Sequence, residues 1–281
     1  TPFLAASLYK LVLLANIYEK RENGQLAFDQ QVKLLPEYFP EPGDFADSFY
    51  EKTIVGSSPS VEELVFATGS YSSNVAAKAL LSLTDTPSLD QTTIELGLND
   101  TYLFIDPTTL PAWATPVADG RSSDLAKALA FVAEDAKSGP ANVTTPHDMS
   151  RYFQLLLAGD VVNPTVSGEI LDILKQQAVD DRFPILLPYP TDMAHKTGNL
   201  DHVVHDVGTI WAPDGPVILA AMIEADPNDD RATQIIQRLA LIAYGDYDVP
   251  PFTEQAVPAE TTTPAEDQAE EDPSEVLPPD Q

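Results

Sequence analysis

The sequence predicts an α+β fold: an antiparallel sheet with helices packed on it, beside a helical subdomain. Three observations carry this. Apolar residues recur at helical spacing up to about residue 177, strand alternation takes over from Met193, and a last helical stretch ends at Gly245. A hydrophobic fraction of 43% over 281 residues is enough for a real core.

Residues 7–22 read as a helix that is apolar nearly all round (Leu8, Leu11, Val12, Leu13, Leu14, Ala15, Ile17), so it belongs inside the domain; Gly24 stops it. Ser60 with Glu63 is a capping box opening a helix to about Thr68. A short helix follows over 74–83, and an amphipathic one over 123–137 with Gly139 just beyond. Thr145-Pro146 puts proline at the first position of a helix running through Leu157, and another covers about 167–177. Residues 193–196, 203–211 and 216–224 read as strands, the last two joined by the turn Ala212-Pro213-Asp214-Gly215. Asp226-Pro227 is expected to cap the final helix.

Residues 1–249 form the expected folded domain. Residues 250–281 hold seven Pro and nine acids with no Lys or Arg, which reads as a disordered acidic tail. The net charge is −29, of which −20 remains on the residues before that tail; this excludes a nucleic-acid partner, whose phosphates need a basic face. No apolar run reaches the roughly 20 residues of a membrane helix. The absence of Cys removes disulfides and thiolate chemistry, and an acidic, Cys-free body fits an extracellular, periplasmic or cell-surface protein. A monomer is expected.

Three short motifs carry the chemistry. Ser7-Leu8-Tyr9-Lys10 places a lysine one helical turn from a serine. A serine hydroxyl needs an adjacent base to be a nucleophile, and a lysine buried in an apolar helix is desolvated, which favours its neutral form. The helix start also favours developing negative charge at Ser7. An ordinary capping serine beside a solvated lysine is the competing reading; the apolar surroundings of Lys10 speak against it. Ser72-Ser73-Asn74 lies at a loop-to-helix junction, where Ser72 can relay a proton and the Asn74 amide can hydrogen-bond a substrate amide; plain capping is the alternative. Lys196-Thr197-Gly198 falls at the end of the first late strand. There Lys196 and Thr197 can hold a carboxylate, Gly198 lets a substrate lie along the edge, and the N–H groups of Asn199 and Ser7 can form an oxyanion hole.

In this order and spacing, and with Val207-Gly208-Thr209-Ile210-Trp211 following the third motif, the chain resembles the class A β-lactamase catalytic domain family of serine hydrolases, from Thr1 to about Tyr244. The resemblance implies a β-lactamase/transpeptidase-like fold, Ser7 as nucleophile, Lys10 as general base, Ser72 and Lys196 in proton relay and carboxylate binding, and no cofactor. It also implies a small β-lactam or peptidoglycan-like peptide as substrate, hence antibiotic catabolism or resistance. Two departures stand out. Asp106, before Pro107, takes the place of the family's deacylating glutamate, while Glu95 and Glu134 are poorly placed for that role. Only six residues precede Ser7, so the helix and two strands that the family sets before the nucleophile helix are expected to be missing. A slow-deacylating D-Ala-D-Ala peptidase or penicillin binder, and an idle cell-wall-binding protein, are the alternatives. His195, His202 and His205 with Asp201 and Asp206 invite a metal, but strand alternation separates neighbours; His205-Asp206 reads instead as a structural polar pair.

Overall fold

The computed structural model describes residues 1–41, 46–51, 54–105, 141–200, 202–225 and 230–252. The helix expected over 123–137, Asp106, Glu134, Asp201, the Asp226-Pro227 cap and residues 253–281 of the tail lie outside them.

The first helix, α1 (Tyr9–Glu22), is entered through a tight 3-10 turn, Ala6–Leu8, so Ser7 rides on the turn rather than on the helix proper. Every residue from Lys10 to Tyr18 is buried, as an all-round apolar helix requires. α2 (Val61–Ser70) starts at the expected capping box, with the Glu63 N–H donating to Ser60 Oγ at 3.2 Å and the Ser60 N–H donating to the Glu63 carboxylate at 2.7 Å. α3 (Asn74–Leu81) is capped by Ser73. α4 (Thr86–Glu95) is absent from the sequence expectations; Asp85 caps it and Pro87 sits in its first turn. α5 (Pro146–Ala158) is capped by Thr145 and ends at Gly159, whose φ of 80° is a left-handed stop. α6 (Pro164–Leu174) opens on an Asn163 cap, earlier than residue 167.

β1 (Phe3–Leu4), β2 (Tyr102–Ile105) and β3 (Ala141–Thr144) make a small antiparallel sheet in the order β1-β3-β2, from strands too short to show alternation in sequence. The larger sheet holds β4 (Met193–Leu200), β5 (Val203–Ala212) and β6 (Gly215–Glu224), antiparallel and in chain order. β4 runs past the expected residue 196 to Leu200, so the third motif lies inside the strand, not at its end. Its pairing sets two faces. Lys196 lies opposite Val207 and Gly198 opposite His205 on one face; Thr197 lies opposite Asp206 on the other.

The Lys196 face rests on the helical body, where Ala194, Val207 and Met222 join the main core with α1, α2 and α3. The other face is covered by a 3-10 turn, Phe183–Leu186, and by α7 (Arg231–Tyr244), through Phe183, Ile210, Ala221, Ile236 and Ala240. Gly208 is required by the close approach of β4: a Cβ there would lie 2.5 Å from the Ala194 carbonyl oxygen and from His195 Cβ. No helix among the described residues is long and apolar enough to cross a membrane.

Candidate active site

The three motifs converge where the edge of β4 meets the start of α1. Lys10, with no exposed surface, reaches back along its helix to Ser7, its Nζ 3.2 Å from Oγ. The same ammonium group donates to the Ser72 carbonyl at 2.5 Å, the Ser72 hydroxyl at 3.3 Å and Asn74 Oδ1 at 2.7 Å. Lys196, also fully buried, donates to Ser72 Oγ at 2.8 Å and to the Thr197 carbonyl at 2.9 Å. One hydroxyl, Ser72, therefore stands between two lysine side chains.

Burial pushes Lys10 from its ordinary 10.5 down to about 7, against the opposing pull of the Asp47 charge. Lys196 is held well below its ordinary value, first by burial and then by the charge of Lys10. The surroundings therefore disfavour charge on both amines, and each is suited to accept a proton.

The backbone is strained at two of these positions. Ser72 has φ of 57° and Ala6, just before Ser7, has φ of 46°, both in the left-handed region that non-glycine residues avoid. Gly198 also serves the packing: a Cβ there would sit 3.3 Å from the Ala5 carbonyl, the Ala6 Cβ and His205 Cδ2, so its bareness lets the turn carrying Ser7 close on the strand.

Further residues, missed in the sequence, belong to this site. Asp47 accepts hydrogen bonds from Ser73 Oγ at 2.7 Å and from the N–H groups of Val75, Tyr50 and Phe49. Burial alone would raise its pKa, but the hydrogen bonds from Tyr50, Val75 and Ser73 outweigh this and hold it low. The carboxylate thus ties its own segment to the start of α3 and to the second motif. Arg182 is 1% exposed, donates from Nη2 to Asn199 Oδ1, and sets Nη1 3.7 Å from the Asp181 carboxylate, while its Nε is buried without a hydrogen-bond partner. No sequence pattern marks it, because it lies 14 residues before Lys196, in an irregular stretch.

The two histidine relationships also differ from the expected His205-Asp206 pair. Asp206 bonds instead to His195, with 2.8 Å between Oδ1 and Nδ1, on the α7 side of the sheet, and takes the Phe183 N–H at 3.2 Å. His205 points to the opposite face, as neighbours on a strand must. Its Nε2–H donates to the Leu4 carbonyl at 2.8 Å, its ring meets Phe3 edge-on, and burial lowers its pKa to about 4. This ties β1, and so the turn carrying Ser7, to β5. Glu95 lies on the surface at the end of α4, bonded to Gln91. Among the described residues no cluster of three His, Cys, Asp or Glu could hold a metal ion.

The model of the Beta-lactamase enzyme family matches residues 1–247. Among solved structures, a point mutant of PBP-A, determined as an acyl-enzyme complex with penicillin G, superposes with a TM-score of 0.67 at 21% identity, covering 87% of this chain and 81% of that one. A β-lactamase from Xanthomonas campestris gives 0.64 at 26% identity over 88% and 82%. One from Sphaerobacter thermophilus gives 0.65 at 24% over 87% and 84%. Sequence comparison with curated proteins finds no match.

Proposed function

The chain belongs to the beta-lactamase enzyme family, and from that membership we propose that it forms an acyl-enzyme at Ser7 on a β-lactam amide. The observation that carries this is the Lys10 amine, fully buried and 3.2 Å from Ser7 Oγ. In its neutral form it takes the Ser7 proton as Oγ bonds to the carbonyl carbon. The Ser72 hydroxyl, which receives Lys10 and Lys196, passes a proton to the nitrogen as the C–N bond breaks. Asn74 commits Oδ1 to Lys10, which leaves its NH2 group for a substrate carbonyl. Lys196 and Thr197 are the groups for a substrate carboxylate, and the N–H groups of Ser7 and Asn199 are the oxyanion donors.

The second reading is a long-lived acyl-enzyme of the penicillin-binding type, supported by the sequence: Asp106, before Pro107, is one methylene shorter than the glutamate that the resemblance implies for deacylation. Intact-mass spectrometry after mixing with a penicillin, alongside the absorbance of a chromogenic cephalosporin, separates the two. Rapid absorbance loss is hydrolysis; a persistent adduct, absent in Ser7→Ala, is slow deacylation. A folded chain that gives neither refutes both.

A further inference from the structure

Beside the second motif lies an open cleft of about 490 Å³, lined by Gln31, Phe49, Tyr50, Pro59, Glu63 and Phe66 together with two serines. That volume falls within the roughly 300–1,000 Å³ of small-molecule sites. Its rings stand nearly at right angles: Phe49 and Tyr50 have centroids 4.8 Å apart at 87°, Phe49 and Phe66 6.5 Å apart at 77°. Three aromatic side chains thus line one cleft, and an aromatic face is the negative end of the ring quadrupole.

The charge of the lining agrees. Glu63 is the one charged side chain among the lining residues, and the capping box fixes its carboxylate: Oε2 takes both the Ser60 N–H and the Ser60 hydroxyl. Burial, together with the charges of Glu63 and Asp47, pushes the Tyr50 phenol up to about 12. The part of that shift due to Glu63 and Asp47 marks a negative potential at the cleft, which favours a cation. Phe49 is 40% exposed, so a ligand can reach it.

We propose that this cleft binds an organic ammonium group, held by the faces of Phe49, Tyr50 and Phe66 and by the Glu63 carboxylate. Two sources share that chemistry: a free quaternary ammonium, or the amine of a peptide side chain. The second is spatially reasonable, because Phe49 also packs on Tyr71 at 4.7 Å, and Tyr71 immediately precedes Ser72. The site stands apart from the acylation reading, since binding is measured without turnover.

The full chain is titrated with choline, with Nα-acetyl-lysine amide and with dimethylbutanol, the uncharged isostere of choline, and aromatic NMR shifts are followed. At least one cation is expected to bind saturably, shifting Phe49, Tyr50 and Phe66, with the isostere about ten-fold weaker or worse. Tighter choline assigns the quaternary source; a tighter lysine amide assigns the peptide. Glu63→Gln, which keeps the capping box because glutamine also serves at that position, weakens the cation about five-fold at an unchanged melting temperature. Phe49→Leu weakens it by a similar factor. An isostere that binds as well as the cations, saturation without those three shifts, no saturable binding, or an unaffected Glu63→Gln overturns the proposal.

Discussion

Replacing Lys10 by Met tests the site through both rate and stability. Methionine fills the same buried channel without a titrating group, so the core is kept while the base is removed. The gap between 10.5 and about 7 means that the folded state carries fewer protons here than the unfolded chain across that range. Stability therefore rises with pH from about 7 toward 10.5, and below pH 7 the charged amine is a standing cost. The whole gap corresponds to on the order of 5 kcal/mol, and the part between about pH 7 and 9 to about 2.7 kcal/mol. Urea unfolding at several pH values should show that slope in the parent and lose it in Lys10→Met, with the variant the more stable protein near pH 6. Penicillin acylation, followed by stopped flow and intact mass, should rise with pH through about 7 in the parent as the amine loses its proton. In the variant it should fall about 10³-fold and lose that limb. A limb near pH 7 that persists without Lys10, or acylation within ten-fold of the parent, refutes Lys10 as the base.

Three further outcomes follow from the geometry. Ser72→Gly removes the shared hydroxyl but relieves a left-handed backbone at φ 57°; acylation should fall about 10²-fold while the melting temperature holds or rises, whereas Ser72→Ala should lower both. His205 has a pKa of about 4 against an ordinary 6.5, so the unfolded chain binds the extra proton and stability is lost as pH falls from 6.5 to 4, by about 3 kcal/mol. His205→Gln keeps a donor for the Leu4 carbonyl and should flatten that part of the acid-denaturation curve; an unchanged curve excludes His205 as its source. Thr197→Val should raise KM for carboxylate-bearing β-lactams about ten-fold with kcat little changed, and steady-state kinetics that show the reverse would remove Thr197 from substrate binding.

What the sequence shows of this molecule follows from the range of the forces involved. The Ser60–Glu63 box and the proline start of α5 are local arrangements, and both appear where the pattern puts them. The buried character of α1 was readable because it is apolar on every side. The strands β1, β2 and β3 were not, since two to four residues carry no period and exist only through pairing with distant chain. α4 did carry a signal, Asp85-Thr86-Pro87, but its weakly patterned faces hid it. In the site, the serine and lysine motifs could be listed from sequence, whereas their partners could not. Asp47 meets Ser73 and Arg182 meets Asn199 across loops, through side chains with no motif of their own. The His195–Asp206 pair is a diagonal across two strands, visible only once the register is known.

Position along the chain adds one more property. Ser72 lies 62 residues from Lys10 and 124 from Lys196, yet its hydroxyl joins them. No fragment lacking β4 can hold that junction, so on the proposed mechanism the relay through Ser72 waits until β4 docks. Recovery of penicillin labelling during refolding would then time the docking of β4 on the helical body.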